Sequence, residues 1–178
     1  GYQNQKGIII NTDYSRYNIR LNGSLNVTKN IKVGANISVA TSTQKMAGVN
    51  LGDRKGKDSG VHHALMMSPL VKPGQTIRTE ENTAGSVSEN EYGANWIDPV
   101  AQLENTTDDM NTTRVQTSVW GEWAIIPGLT YKIQYSNNYD GSTYEYFQPA
   151  SVNMSKYSSS GSSYSERYND WVIQNTLT

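Results

Sequence analysis

Residues whose types could do chemistry are present in this sequence of 178, but none falls at a spacing that chemistry needs. Cysteine is absent, which removes thiolate catalysis, disulfides and Cys-type zinc sites. The two histidines, His62 and His63, are adjacent. Neighbouring side chains on a helix project ~100° apart, so one metal ion does not take both without a third ligand. They read as a solvated loop pair. Asp98, Asp108 and Asp109 offer carboxylates to calcium, but the alternating ligand spacing of a calcium loop is missing. Exposed loop acids are the simpler reading, and Glu80-Glu81 and Asp53-Arg54-Lys55 read as solvated faces. No Ser-His-Asp arrangement can be assembled beyond the bare presence of those residue types. No enzyme activity, cofactor or metal site is expected. Asn26, Asn36, Asn105 and Asn111 open N-x-Ser/Thr triplets, which arise by chance in a chain this rich in Asn and Thr.

The composition supports strands that present polar surface. Apolar residues make up 35% of the chain and charged residues 17%, below the usual level of about 25%. The net charge of -1 gives no electrostatic footprint for a nucleic-acid partner. No apolar run approaches the ~20 residues of a membrane helix, and Gly1 to Lys6 do not form a signal peptide. A membrane β-barrel escapes that requirement, because only every second residue must face lipid.

Period-two alternation is the dominant pattern. Tyr17, Ile19, Leu21, Gly23, Leu25 and Val27 share one parity, against Arg16, Asn18, Arg20, Asn22, Ser24 and Asn26. A polar turn at Thr28-Lys29-Asn30 separates this run from Ile31, Val33, Ala35, Ile37 and Val39. Two alternating runs around a tight turn predict an antiparallel hairpin. Each run can supply the ~9–11 residues that cross a bilayer as a tilted strand. A second hairpin places Val115, Thr117, Val119, Gly121, Trp123 and Ile125 on one face, with Trp120 the exception on the polar side. Ile126-Pro127-Gly128-Leu129 has type II turn chemistry: Pro127 presets φ and Gly128 accepts positive φ. Leu129, Tyr131, Ile133 and Tyr135 continue the alternation. A final run puts Trp171, Ile173 and Leu177 on one face and stops without a turn, as Gly1 to Gln5 begin like the tail of a strand.

The predicted organisation is hairpin 13–44, long loop 45–111, hairpin 112–140, loop 141–165 and strand 166–178. Tight turns at one end and long loops at the other match outer-membrane barrels, whose long loops lie outside the cell. Val61 to Met67 can form one or two helical turns within the first loop. Arg16, Arg20, Arg114, Glu122 and Lys132 sit on the polar parity, which lines the lumen in a barrel and is a solvated face in a soluble sheet. The loop aromatics Tyr92, Trp96, Tyr144, Tyr146 and Phe147 can stack on sugar rings of a cargo, or equally pack the loops or press on a partner.

One block is more specific. Gly1-Tyr2-Gln3-Asn4-Gln5-Lys6-Gly7-Ile8, then Thr12-Asp13-Tyr14-Ser15-Arg16-Tyr17 and Arg20-Leu21-Asn22, resembles the early barrel of SusC/RagA-type TonB-linked transporters. Val27 to Asn36 is similar to that family's next turn and strand, and Ala64 to Leu70 and Asp98 to Glu104 to later landmarks in the same order. The family more often has Asn where Asp98 stands. The specific motifs cover residues 1 to 104; beyond them the likeness is a hairpin pattern. The resemblance implies an all-β fold, an antiparallel up-and-down transmembrane barrel of which about five or six strands are present. It implies a plug that is absent from this stretch and a Gram-negative outer membrane of Bacteroidetes type. Its implied partners are a SusD-like surface lipoprotein, the TonB complex, membrane lipid, and an oligosaccharide or peptide cargo. From the residues alone, a soluble cell-surface β-sandwich carbohydrate-binding module stays open. It differs in burying the apolar parity under a second sheet.

Overall fold

The computed structural model describes residues 1–47, 98–153 and 158–178, with positions 61, 64 and 65. It contains β1 (Tyr2–Lys6), β2 (Asp13–Asn26), β3 (Ile31–Lys45), helix α1 (Pro99–Asn105), β4 (Thr107–Ile126), β5 (Leu129–Gln148), a 3₁₀ turn (Ala150–Val152) and β6 (Ser160–Leu177). The strands form one open antiparallel sheet in the order β1-β2-β3-β4-β5-β6. Each strand pairs with its neighbour in sequence, as an up-and-down barrel wall requires.

Both expected tight turns form. Gly128 has φ of 88°, the left-handed region that type II chemistry reserves for its third residue. At the other turn, Val27 N–H donates to the Ile31 carbonyl at 2.9 Å, and Asn30 N–H donates to Thr28 Oγ1 at 3.2 Å. The expected helix at 61–67 is described only at Val61, Ala64 and Leu65, which are helical.

The loop boundaries are corrected. The expected long loop 45–111 is strand from Thr107 onward, and most of the expected loop 141–165 is strand, because β5 runs to Gln148 and β6 starts at Ser160. Polar, Gly- and Ser-rich composition reads as loop. Yet cross-strand pairing continues through it without a slip, from Gly141↔Arg167 to Gln148↔Ser160. Strands β4 and β5 have 20 residues each. At ~3.3 Å per residue and a tilt of ~40°, such strands rise ~50 Å, about twice an apolar band of ~25 Å. In a transmembrane barrel the upper halves of strands this long stand clear of the hydrocarbon, where hydropathy no longer marks a strand.

Register joins the apolar parities into a single outward surface. Leu21 opposes Ile37, Ile37 opposes Thr117, and Val33 opposes Gly121, which opposes Ile133. Ile19 and Leu21 are each 63% exposed and Trp171 is 61% exposed, so nothing among the described residues covers this face. A sandwich would bury it. The top of the apolar band also drifts. Tyr17 aligns through Thr41, Thr113 and Gly141 with Arg167, whereas the first large apolar residue of that parity on β6 is Trp171, four positions away. A drift of one residue (~3.3 Å) per strand step (~4.8 Å) corresponds to a strand tilt of ~35°, within the range of closed membrane barrels.

Ile133 lies near mid-band on the outward face. In the full-length protein, Ile133→Arg is expected to cost ~2–4 kcal/mol in a lipid or micelle unfolding titration. Asn36→Arg, at similar depth on the opposite face, is expected to cost far less. Equal costs would mean that the two faces meet the same environment.

Candidate functional site on the concave face

The even-numbered residues of β2 to β6 form the other face. Arg20, Ser38, Gln116, Asn138 and Asp170 make one row across five strands, and Asn22, Asn36, Ser118, Ser136 and Val172 make the next. Arg16 pairs with Ser42 on the same face, and Glu122 stands in register between Lys32 and Lys132. All five candidates expected on the polar parity, Arg16, Arg20, Arg114, Glu122 and Lys132, therefore lie on one surface. Asp170 and Lys32 belong with them, and extending the same parity to every strand would have found both.

This face is concave, because one hollow of about 520 Å³ touches residues from five strands, β2 to β6. Its floor is made of side-chain amides and hydroxyls. Some of these are cross-linked: Gln134 Nε2 donates to Ser118 Oγ at 3.1 Å, and Ser136 Oγ donates to the same oxygen at 3.3 Å. One row above, Arg114 Nε donates to Asp140 Oδ2 at 2.8 Å, and a second guanidinium nitrogen approaches that oxygen at 2.5 Å. The Arg114 side chain is 58% exposed, so the pair serves to hold two side chains in place more than to add stability.

Trp120, the aromatic exception on the polar parity, is explained by its cross-strand partner. It opposes Gly34, and a Cβ there would lie 2.5 Å from the indole ring. The missing side chain lets the ring lie flat on the wall. Lys32 and Lys132 place their ammonium groups 5.7 and 5.1 Å from the ring centroid, within cation–π range. Nothing in the sequence marks Gly34 and Trp120 as partners, because 86 positions separate them.

Above the band, the same face carries a small core. Tyr144, Asp108, Gln148, Gln102 and Val152 are buried there, among strand ends, α1 and the 3₁₀ turn. Asp98 caps α1 by accepting from Ala101 N–H at 3.0 Å, and Pro99 occupies the first turn. Asn11 Nδ2 donates to the Leu103 carbonyl at 3.2 Å, tying the β1–β2 connection to α1. Gln148 Nε2 donates to the Val152 carbonyl at 3.2 Å. Burial pushes the Tyr144 phenol above the ordinary tyrosine range, and the nearby Asp108 carboxylate adds to the rise through a hydrogen bond and its charge. The Tyr144 and Tyr164 rings sit 5.1 Å apart.

The expected group of loop aromatics does not hold together. Tyr144, Tyr146 and Phe147 are residues of β5, not loop. Tyr144 is a buried core residue, Tyr146 donates to Gln148 Oε1 at 3.1 Å, and Phe147 has odd parity and points to the outer face, 49% exposed. Tyr92 and Trp96 lie outside the described residues, as do His62 and His63, Glu80 and Glu81, and Asp53 to Lys55. The three acids considered for calcium do not converge, since Asp98 caps a helix and Asp108 and Asp109 alternate faces of β4.

No protein-family model matches the chain. It is similar to the TonB-dependent receptor P3 of Formosa agariphila, with 23% identity over 151 residues, 85% of this chain and 14% of that receptor. In fold it is similar to the RagAB peptide transporter, with a TM-score of 0.68 and 18% identity over 99% of this chain and 19% of that one. The RagAB peptide importer in an open–open state gives a TM-score of 0.56 and 19% identity over 93% of this chain and 18% of that one. The chain thus spans less than one fifth of the relatives it matches. These relatives are a receptor and transporters, not enzymes. The resemblance read from the sequence is borne out in the fold: six antiparallel strands form one open sheet like a stretch of the RagAB barrel wall, and the sequence is similar to a TonB-dependent receptor.

Two outcomes test this geometry. Gly34→Ala is expected to displace Trp120 and cost ~1–3 kcal/mol, and the same change in a Trp120→Ala background is expected to be near neutral. Denaturant midpoints and indole fluorescence report both. Tyr144 is protonated more firmly in the fold than in the unfolded chain. Its contribution to stability is therefore complete below the ordinary tyrosine value of ~10 and is lost as pH climbs beyond it. Tyr144→Phe is expected to flatten that alkaline decline, read from unfolding midpoints between about pH 8 and pH 11.

Proposed function

We propose that this stretch of barrel wall lines the import path of a TonB-dependent outer-membrane transporter for an oligosaccharide or peptide cargo. The supporting observation is the opposition of the two faces. An uncovered apolar band looks outward while a concave, hydrogen-bonding wall with five cationic side chains looks inward. A lipid-facing wall has no use for Arg20, Lys32 or Lys132, whereas a hydrophilic passage needs groups that replace water around a polar solute.

In this reading the wall contributes positioning, not catalysis. Its amides and hydroxyls exchange hydrogen bonds with a passing solute at little net change in free energy, which favours passage over tight retention. A plug elsewhere in the protein would contact the TonB complex, and a SusD-like lipoprotein would close the outer end. The family resemblance supports both partners, and the similarity to a TonB-dependent receptor supports the first.

The full-length protein in its native membrane supplies the test. It is expected in the outer-membrane fraction, and uptake of its cargo is expected to stop when the proton gradient is collapsed or TonB is removed. Residence in a soluble fraction, or uptake indifferent to both treatments, would overturn the proposal.

A further inference from the structure

We propose that the outward face of β5 and β6, above the apolar band, is a docking strip for the oligosaccharide headgroup of an outer-leaflet glycolipid. This rests on the outer-membrane reading above and is independent of which cargo passes inside.

The outward residues of β5 change character at Tyr139. Below it the parity is mostly apolar, with Tyr131, Ile133 and Tyr135; above it come Gly141, Thr143 and Glu145, and then Phe147. A single exposed apolar residue needs no explanation by itself. The setting of Phe147 gives it a use. It opposes Gly161, and a Cβ there would lie 3.4 Å from Phe147 Cδ2. No side chain stands beside the ring on β6, and Phe147 stays half exposed. Exposed Glu145 lies two positions below it in the same outward column. Next down, Thr143 Oγ1 and the exposed Ser165 Oγ lie 3.3 Å apart. An accessible ring, a carboxylate and hydroxyls are groups that recognise sugars. The ring takes the C–H face, and the oxygens take the sugar hydroxyls.

Height selects the source of the sugar. Phe147 lies eight positions beyond Tyr139. At ~3.3 Å per residue and a tilt of ~35°, it stands ~22 Å above the band. An ordinary headgroup layer adds only about 5–7 Å to each side of the hydrocarbon. Phe147 therefore stands beyond phospholipid headgroups, at a height that a headgroup of several sugars reaches. Arg167 is exposed on the same face of β6, four positions beyond Trp171. It rises ~11 Å above that ring, and its long side chain can turn down to headgroup phosphate. A cation below, oxygens between and a ring above match a phosphorylated glycolipid read upward from its acyl chains. Those chains would lie on the band directly beneath, so the strip continues the lipid-facing surface. Residues of this parity look away from the concave face, so cargo there does not meet them.

Native mass spectrometry of the full-length protein in micelles, titrated with lipid, provides the test. The probes are a rough lipopolysaccharide with a core oligosaccharide, and lipid A without one. The core-bearing lipid is expected to bind ~10-fold or more tighter than lipid A. Phe147→Ala is expected to remove most of that margin, and Phe147→Tyr to keep it. Arg167→Gln is expected to weaken both lipids alike, by ~3–10-fold. Glu166→Gln, on the opposite face beside it, is expected to change neither. Outer-membrane abundance checks that each variant is assembled. Equal affinity for the two lipids, or a Phe147→Ala variant that keeps the margin, would overturn the strip and leave the membrane reading standing. So would a loss of thermal stability in Phe147→Ala before any glycolipid is added, since a segment of the protein's own chain would then cover the ring. A full-length protein that stays monomeric in water without detergent would overturn the membrane reading itself.

Discussion

Hydrocarbon offers no hydrogen-bond partner to a peptide group, and this structure is organised by that fact. Every backbone N–H and C=O at membrane depth must be paired within the protein, and long in-register strands do so with neighbours on either side. Each strand here pairs with its sequence neighbour through a tight turn or a longer connection, and pairing holds over as many as 20 residues of one strand. Once the backbone is committed to the ladder, side chains can only alternate between two faces. The division of labour between a greasy exterior and a wet interior follows directly.

The inner face shows what becomes possible when lipid is excluded. Cations cluster on it: Arg16 and Arg20 on β2, Lys32 on β3, Arg114 on β4 and Lys132 on β5. Some are answered locally. Arg114 meets Asp140, while Lys32 and Lys132 flank Glu122 and the ring of Trp120. The seating of that ring depends on the absence of a side chain at Gly34, so an aromatic residue joins a polar wall in the space its cross-strand partner leaves. The outer face uses its few polar groups differently. Tyr131 donates to Asn175 at 2.6 Å and Asn137 to Asn169 at 2.8 Å, which satisfies amides that border the apolar band.

Above the band the strands continue, and the inner face changes from hollow to core. There α1 is held at Asn11 on one side and lies near the 3₁₀ turn on the other.

Alternation alone determined much of this protein. Parity placed Arg16, Arg20, Arg114, Glu122 and Lys132 on one surface, because a strand has only two sides and a run of Ile, Leu and Val claims one of them. Pro127-Gly128 determined its turn for an equally local reason, the allowed φ of two residues. Other features depend on contacts that sequence distance hides. Tyr144, Tyr146 and Phe147 looked like loop because polar Gly- and Ser-rich strand outside a membrane has no hydropathy signature, and only pairing with β6 shows it to be sheet. Trp120 made sense only against Gly34, and Arg20 fell into one row with Asp170 only after five strands had been set side by side. Which face a residue takes is a property of its own strand. What stands opposite it is decided by register between strands, which backbone pairing across the whole sheet sets.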